Sequence, residues 1–226
     1  MKGKLIVIEG VDSSGKATQT KLLYENIKKI IDNVTSIEFP NYKSKSSELV
    51  KMYLNGDFGK NANDVSPYMA SVFFAADRVA SYKTEWEKLL ENGEIIVADR
   101  YTTSNMIHQA SKISDIKEKE MFLKWVYDFE YNKLNLPEPD LTIFLDMPVK
   151  HAKILMENRL NKIDNSTTKD IHESDTNYLN QSYNNAVYVA EMFKWERISC
   201  VNENDEIKSI EEISKEILEK VKKVIL

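Results

Sequence analysis

The chain has 226 residues, with 31 Lys and Arg against 36 Asp and Glu, for a formal net charge of −5. That length suits one large α/β domain with a substantial core, and without a long basic run the charge leaves no electrostatic footprint for coating nucleic acid or a membrane. The single Cys200 excludes an internal disulfide, and the N-terminal apolar run 5–8 is too short for a signal peptide or a membrane span, so the cytoplasm is the expected compartment.

In chain order, LIVIE (5–9) predicts a strand, residues 10–15 a glycine-bounded loop and 15–31 a helix. SIEF (36–39) predicts a second strand, followed by helices over 46–54 and 66–91. IIVAD (95–99) is the third strand, and 116–131 another helix. NLPEPDL (135–141) carries two prolines directly before LTIFLD (141–146), so it reads as a turn into a fourth strand rather than a domain boundary. After a helix over 149–160 comes the most polar stretch, 161–170, a loop by its lack of helical period. A helix over 174–193 and a strand RISCV (197–201) follow, with Cys200 as a small buried hydrophobe. Ile207, Ile210, Ile213, Ile217, Val221 and Val224 then recur at steps of three and four, an amphipathic helix that packs on the sheet.

Short β-branched runs separated by helices imply a five-stranded parallel sheet flanked by helices on both faces. No internal repeat or linker interrupts it, so residues 1–226 form a single expected domain.

The loop IEGVDSSGKAT meets the phosphate-loop pattern GxxxxGK[ST] at Gly10, Gly15 and Lys16, but Ala17 stands where a hydroxyl normally reaches magnesium. The strand-loop-helix context is the one the motif requires: backbone N–H groups and the positive helix end hold phosphate oxygens, and Lys16 adds a point charge. Thr18 is one residue further along the helix, about 100° away at roughly 3.6 residues per turn, so it does not replace the missing ligand.

Read with FPN (39–41), FFAADR (73–78) and DRYTTSNMIHQ (99–109), this loop closely resembles thymidylate kinase, in order and spacing and over nearly the whole chain. The resemblance implies a P-loop nucleoside-monophosphate kinase fold, usually a homodimer, that moves the γ-phosphate of ATP to dTMP with magnesium. Small-molecule nucleotides are then the partners, with no nucleic acid and no membrane. Gly10, Val11, Asp12, Ser13, Ser14, Gly15, Lys16, Ala17 and Thr18 are the expected ATP loop.

The other segments also make chemical sense unaided. Phe74 and Arg78 are four apart on a helix, hence on one face, where a ring can stack a base and a guanidinium can donate to its edge. Thymine offers an O4 acceptor where cytosine has an amino donor, so an arginine there rejects cytosine. Asp99 and Arg100 end an apolar strand, where parallel sheets hold ligands. Asp99 is expected near the metal and its waters, and Arg100 on the acceptor phosphate.

By resemblance, Asp12 accepts from the 3′-hydroxyl of dTMP, Phe39 and Pro40 belong to the acceptor site, Ser104 and Gln109 flank thymine, and His108 approaches C2′. His108 departs from the family's Phe or Tyr, and Tyr42 stands where some members have arginine. The polar loop matches the family's lid, about 159–173, whose Asp-Arg-x-Glu motif here reads Asp170, Ile171, His172, Glu173. Arg159 is therefore the expected lid cation, with Lys162 and Lys169 as alternatives. His151 and His172 lack metal-ligand spacing and read as surface residues. Two other readings stay open: a kinase for another deoxynucleoside monophosphate, and a catalytically silent nucleotide-binding regulator.

Overall fold

The computed structural model describes residues 3–61, 63–157 and 176–226. The elements are arranged in chain order as β1 (Lys4–Gly10), α1 (Lys16–Lys28), β2 (Val34–Glu38), α2 (Glu48–Leu54), α3 (Pro67–Ser81), α4 (Glu87–Glu91), β3 (Ile95–Asp99), α5 (Thr102–Ser104), α6 (Ile116–Tyr127), β4 (Leu141–Asp146), α7 (Val149–Glu157), α8 (Thr176–Met192), β5 (Glu196–Ser199) and α9 (Ile210–Ile225). The strands form one parallel sheet in the order β2-β3-β1-β4-β5. This is the five-stranded α/β architecture that the alternating pattern predicts.

Both faces of the sheet are covered, and the two-residue side-chain period shows how. Leu5 and Val7 pack with Ile96 and Ala98 against Trp86, Phe122, Val126 and Val189. Ile6 and Ile8 pack the other way with Val97 and Ile143, against Leu23 and Ile27 of α1 and Ile213, Ile217 and Val221 of α9. Strands buried on both sides lose the polar alternation of a one-sided sheet, which is why LIVIE and IIVAD read as continuous apolar runs.

Several boundaries differ from the pattern reading. β2 starts at Val34 because its register pairs Val34 with Ile95, while Phe39 lies just past its end. β5 ends at Ser199, and Val201 instead bridges antiparallel to Ile207. Ile207 is thus outside the last helix, which Ser209 starts through a reciprocal capping box with Glu212. The expected helix 66–91 is divided by a π turn at Tyr82–Trp86. A π turn adds one residue and so rotates the next stretch of helix by about 100°; here it accompanies a fully buried Trp86 packed on Tyr82 and Tyr101. Two more π turns, Asn105–Gln109 and Asp128–Lys133, lie at the carboxyl side of α5 and α6. Cys200 is buried, as expected of a small hydrophobe, and burial pushes its thiol up to about 12.

The chain leaves β1 for β2 on one side of the sheet and crosses from β3 to β4 on the other. The carboxyl end of β1 is therefore a switch point, where open parallel sheets bind ligands.

Candidate active site

β1 delivers Gly10 to a position that admits no side chain: a Cβ there would lie 2.6 Å from the Ser14 hydroxyl and 3.1 Å from the Leu145 carbonyl. The loop closes at Gly15, whose φ of +88° favours glycine, and α1 begins with no side-chain cap on its first N–H groups. Lys16 folds back over this loop and donates to the Val11 carbonyl at 2.7 Å. The hydroxyls of Ser13 and Ser14 are buried without a partner among the described residues. Uncapped amides, orphaned hydroxyls and a buried ammonium together make a cradle for an anion.

Burial is the main cause that lowers the Lys16 ammonium to about 7; the positive charge of Arg100 adds to the fall, and Asp12, Asp99 and Glu9 oppose it. The loop and start of α1, from Ser13 through Thr18, line one cleft, closed opposite by Met147, Leu155, Ile207 and Ile210. Ala17 is exposed in this cleft and offers no ligand atom.

Asp12, one residue earlier, lines a second cleft. All of the expected acceptor residues meet there: Phe39, Pro40 and Tyr42 after β2, Phe74 and Arg78 on α3, Arg100 after β3, and Ser104, His108 and Gln109 beyond it. Leu54, Tyr101 and Asn105 complete the lining. Asp12 and Ser13, consecutive in sequence, thus form the ridge between the two clefts.

Arg100 sits at this ridge. Its φ of +68° is uncommon for a side-chain-bearing residue and accords with strain held at a functional position. Its guanidinium donates to Asp12 Oδ1, reaches Ser104 Oγ at 3.3 Å and lies 2.9 Å from His108 Nε2 and 3.8 Å from Glu9 Oε1. Burial alone would lower its pKa, but Asp12, Glu9 and Asp99 outweigh that and hold it above its ordinary value.

Asp99 ends β3 beside β1, its Cα in register with Ile8. Its carboxylate is buried, and Oδ1 has no hydrogen-bond partner among the described residues. An orphaned carboxylate oxygen next to a phosphate cradle suits the outer shell of a hydrated magnesium ion, which retains several waters and needs few protein ligands. No group of three or more His, Cys, Asp or Glu with metal-holding geometry occurs among the described residues. His151 lies 3.1 Å from Asp205 and has no such cluster.

Arg78, expected to donate to the edge of a base, is held by the protein itself. Arg78 is 1% exposed and makes a two-pronged pair with Glu130, Nε to Oε2 at 2.7 Å and Nη2 to Oε1 at 2.6 Å. Phe74 is half-buried, edge-on to Tyr53 at 6.1 Å. Gln109 is buried, with its side-chain carbonyl unpartnered among the described residues.

Four supporting residues escaped the sequence reading. Glu9 accepts from Thr103 and Ser104 hydroxyls, both at 2.8 Å, and so anchors the segment bearing Arg100. Asp77 accepts from the Asn41 amide at 2.9 Å and Ser46 Oγ at 2.6 Å, tying α3 to the loop that follows the cis Phe39–Pro40 bond. Glu130 and Asn105 are the others. Glu9 and Asp77 carried a signal, each being an acid inside an otherwise apolar stretch; Glu130 carried none. Arg159, Lys162, Lys169 and His172 lie outside the described residues.

The family model for thymidylate kinase matches residues 8–217. A probable thymidylate kinase of Pyrococcus horikoshii is 31% identical over 228 residues, covering 100% of this chain and 99% of that protein. The thymidylate kinase of Mycobacterium tuberculosis is 29% identical over 185 residues, 81% of this chain and 83% of that one. Among solved structures, thymidylate kinase from Candida albicans superposes with a TM-score of 0.71 at 22% identity, over 98% of this chain and 92% of that one.

Proposed function

The chain belongs to the thymidylate kinase family, and on that premise we propose how its two clefts carry out the phosphorylation of dTMP to dTDP. ATP lies along the cradle of residues 10–18 and dTMP fills the aromatic cleft. The observation that carries this reading is the Arg100–Asp12 pair: both residues line the aromatic cleft, and Asp12 directly precedes Ser13, which lines the cradle. This places the guanidinium at the end of the aromatic cleft nearest the cradle, where a transferred phosphate would meet it.

Phe74 stacks thymine while Arg78 donates to O4, and the unpartnered carbonyl of Gln109 suits the N3–H donor of the same edge. Phe39, Pro40 and Tyr42 wall the cleft, and His108 lies at the sugar. Asp12 accepts the 3′-hydroxyl as the acceptor phosphate draws Arg100 away from it. Phosphate monoesters have a second pKa of about 6, so the acceptor is already largely anionic and no general base is required. Lys16 and Arg100 then stabilise charge spread over the transferred group. Bound with the nucleotide, magnesium would supply further neutralisation of phosphate charge, with Asp99 in its outer shell through water. Arg159, outside the described residues, is the further cation assigned to the transferred charge.

The single domain 1–226 acts in the cytoplasm as a homodimer. No described helix is long and apolar enough to cross a membrane. Exposed Tyr68, Met69 and Val72 on α3 adjoin α6 through the contact of Tyr68 with Trp125, and exposed Met121 extends the apolar surface. Light scattering after size exclusion tests the dimer.

A coupled ADP-release assay across dTMP, dUMP, dCMP, dGMP and dAMP tests the function. Turnover is expected with dTMP foremost. Preference for another acceptor would support the second reading, which the departures at His108 and Tyr42 favour; absence of turnover with ATP still bound would support a silent regulator.

A further inference from the structure

Arg78 cannot move as a free side chain, because the carboxylate that grips it is itself saturated. Glu130 is 0% exposed and accepts four donors: Arg78 Nη2 and Asn105 Nδ2 on Oε1, at 2.6 and 2.8 Å, and Arg78 Nε and Thr102 Oγ on Oε2, at 2.7 and 2.8 Å. An ionised carboxylate has about four lone-pair sites, so none is left over. The donors come from α3, from α5 and from the π turn after it, and Glu130 itself from the π turn after α6. Asn105 also donates to the Ser71 carbonyl on α3 at 3.2 Å.

We infer that Glu130 is a positioning residue that sets base selectivity by fixing the side-on edge of Arg78 and leaving Nη1 as the donor presented to the base. Nη1 has only a long contact, 3.4 Å, to the Tyr101 carbonyl, while Nε and Nη2 are committed to Glu130. A planar fork held on one edge has no freedom to rotate its donors away from a mismatched base. A cytosine amino group then meets a fixed N–H and has no acceptor to find, whereas a mobile arginine could turn aside at little cost. Discrimination thus depends on a residue that need not touch the nucleotide. This inference rests on Arg78 being the base contact.

The test separates the two ideas in the unmodified protein. Arginine side-chain ¹⁵N spectra are recorded with and without dTMP, with Arg78 assigned through Arg78→Lys. The Nη resonances of Arg78 should shift on adding dTMP, while its Nε–H stays protected from solvent exchange in both states. Unmoved Nη resonances would refute the base contact itself. A shifted Nη together with an Nε–H that becomes exchangeable would leave the base contact standing and overturn the role of Glu130. In parallel, Glu130→Gln should raise the KM for dTMP and lower the dTMP-over-dCMP ratio of kcat/KM by about tenfold, without altering the KM for ATP. Glu130→Asp, which keeps the charge, should restore part of that ratio. A folded Glu130→Gln variant with the parent ratio would overturn the proposal, and if that variant does not fold, the exchange measurement decides.

Discussion

Nε2 of His108 lies 2.9 Å from Nη1 of Arg100. A guanidinium only donates, so Nε2 accepts and the imidazole carries its proton on Nδ1. The residue that departs from the family pattern is therefore coupled to the arginine on the ridge between the clefts. An imidazole at the sugar edge can hydrogen-bond a 2′-hydroxyl where a phenyl ring cannot. His108→Phe is expected to lower kcat/KM for ribo-TMP relative to dTMP, measured with both substrates. An unchanged ratio would count against placing His108 at C2′.

Lys16 gives a proton-linkage prediction with a definite sign. Its pKa in the free protein is about 7 against an ordinary 10.5, and nucleotide phosphates in the cradle favour the charged form. Binding ATP near pH 8 should therefore take up close to one proton, roughly the fraction missing from a group with pKa 7. Calorimetry in buffers of different ionisation enthalpy measures it. For folding, the unfolded chain binds more protons at this group between pH 7 and 10.5, so its contribution to stability rises with pH across that window. Zero uptake would mean that the phosphates lie away from Lys16.

Phe74 and Arg78, both proposed to contact the base, should separate in stability. Arg78→Ala strands the buried Glu130 carboxylate and should cost about 3–5 kcal/mol of stability, a fall of roughly 6–20 °C in Tm for a chain of this size. Phe74→Ala removes a half-buried ring and should cost less, while losing about 1–3 kcal/mol of dTMP binding through lost stacking. Thermal melts paired with dTMP titrations test both. Equal stability losses would mean the Arg78–Glu130 pair does not hold the fold as its burial implies.

Ala17 is exposed at the start of α1 and supplies no metal ligand. Magnesium keeps several waters readily, so activity is expected to depend on magnesium, with water at the place of the absent hydroxyl. Ala17→Ser should reduce the magnesium concentration giving half-maximal rate. No turnover of the unmodified protein at saturating magnesium would sink this account.

The sequence by itself determined the existence and order of the strands and the phosphate loop, while its resemblance to a kinase family singled out residues that the structure brings to one cleft. Strands and loop were legible because they are short-range properties, continuous β-branched apolar runs and glycines where backbone must approach a ligand, as is the four-residue spacing that sets two side chains on one helix face. Phe74 and Arg78 needed only that spacing to be placed together. What only the tertiary structure decided is which partner each polar group takes. Arg78 meets Glu130 across 52 residues, and Thr103 meets Glu9 across 94. No local pattern marks Glu130, because a glutamate on a helix reads as a solvated charge until another element covers it. The π turn that puts Trp86 in the core is likewise invisible in YKTEW, which contains neither proline nor glycine. Burial converts these ordinary charges into specific pairs, since an ion taken out of water must find a partner of good geometry, and that requirement is met only when distant segments of the chain are brought together.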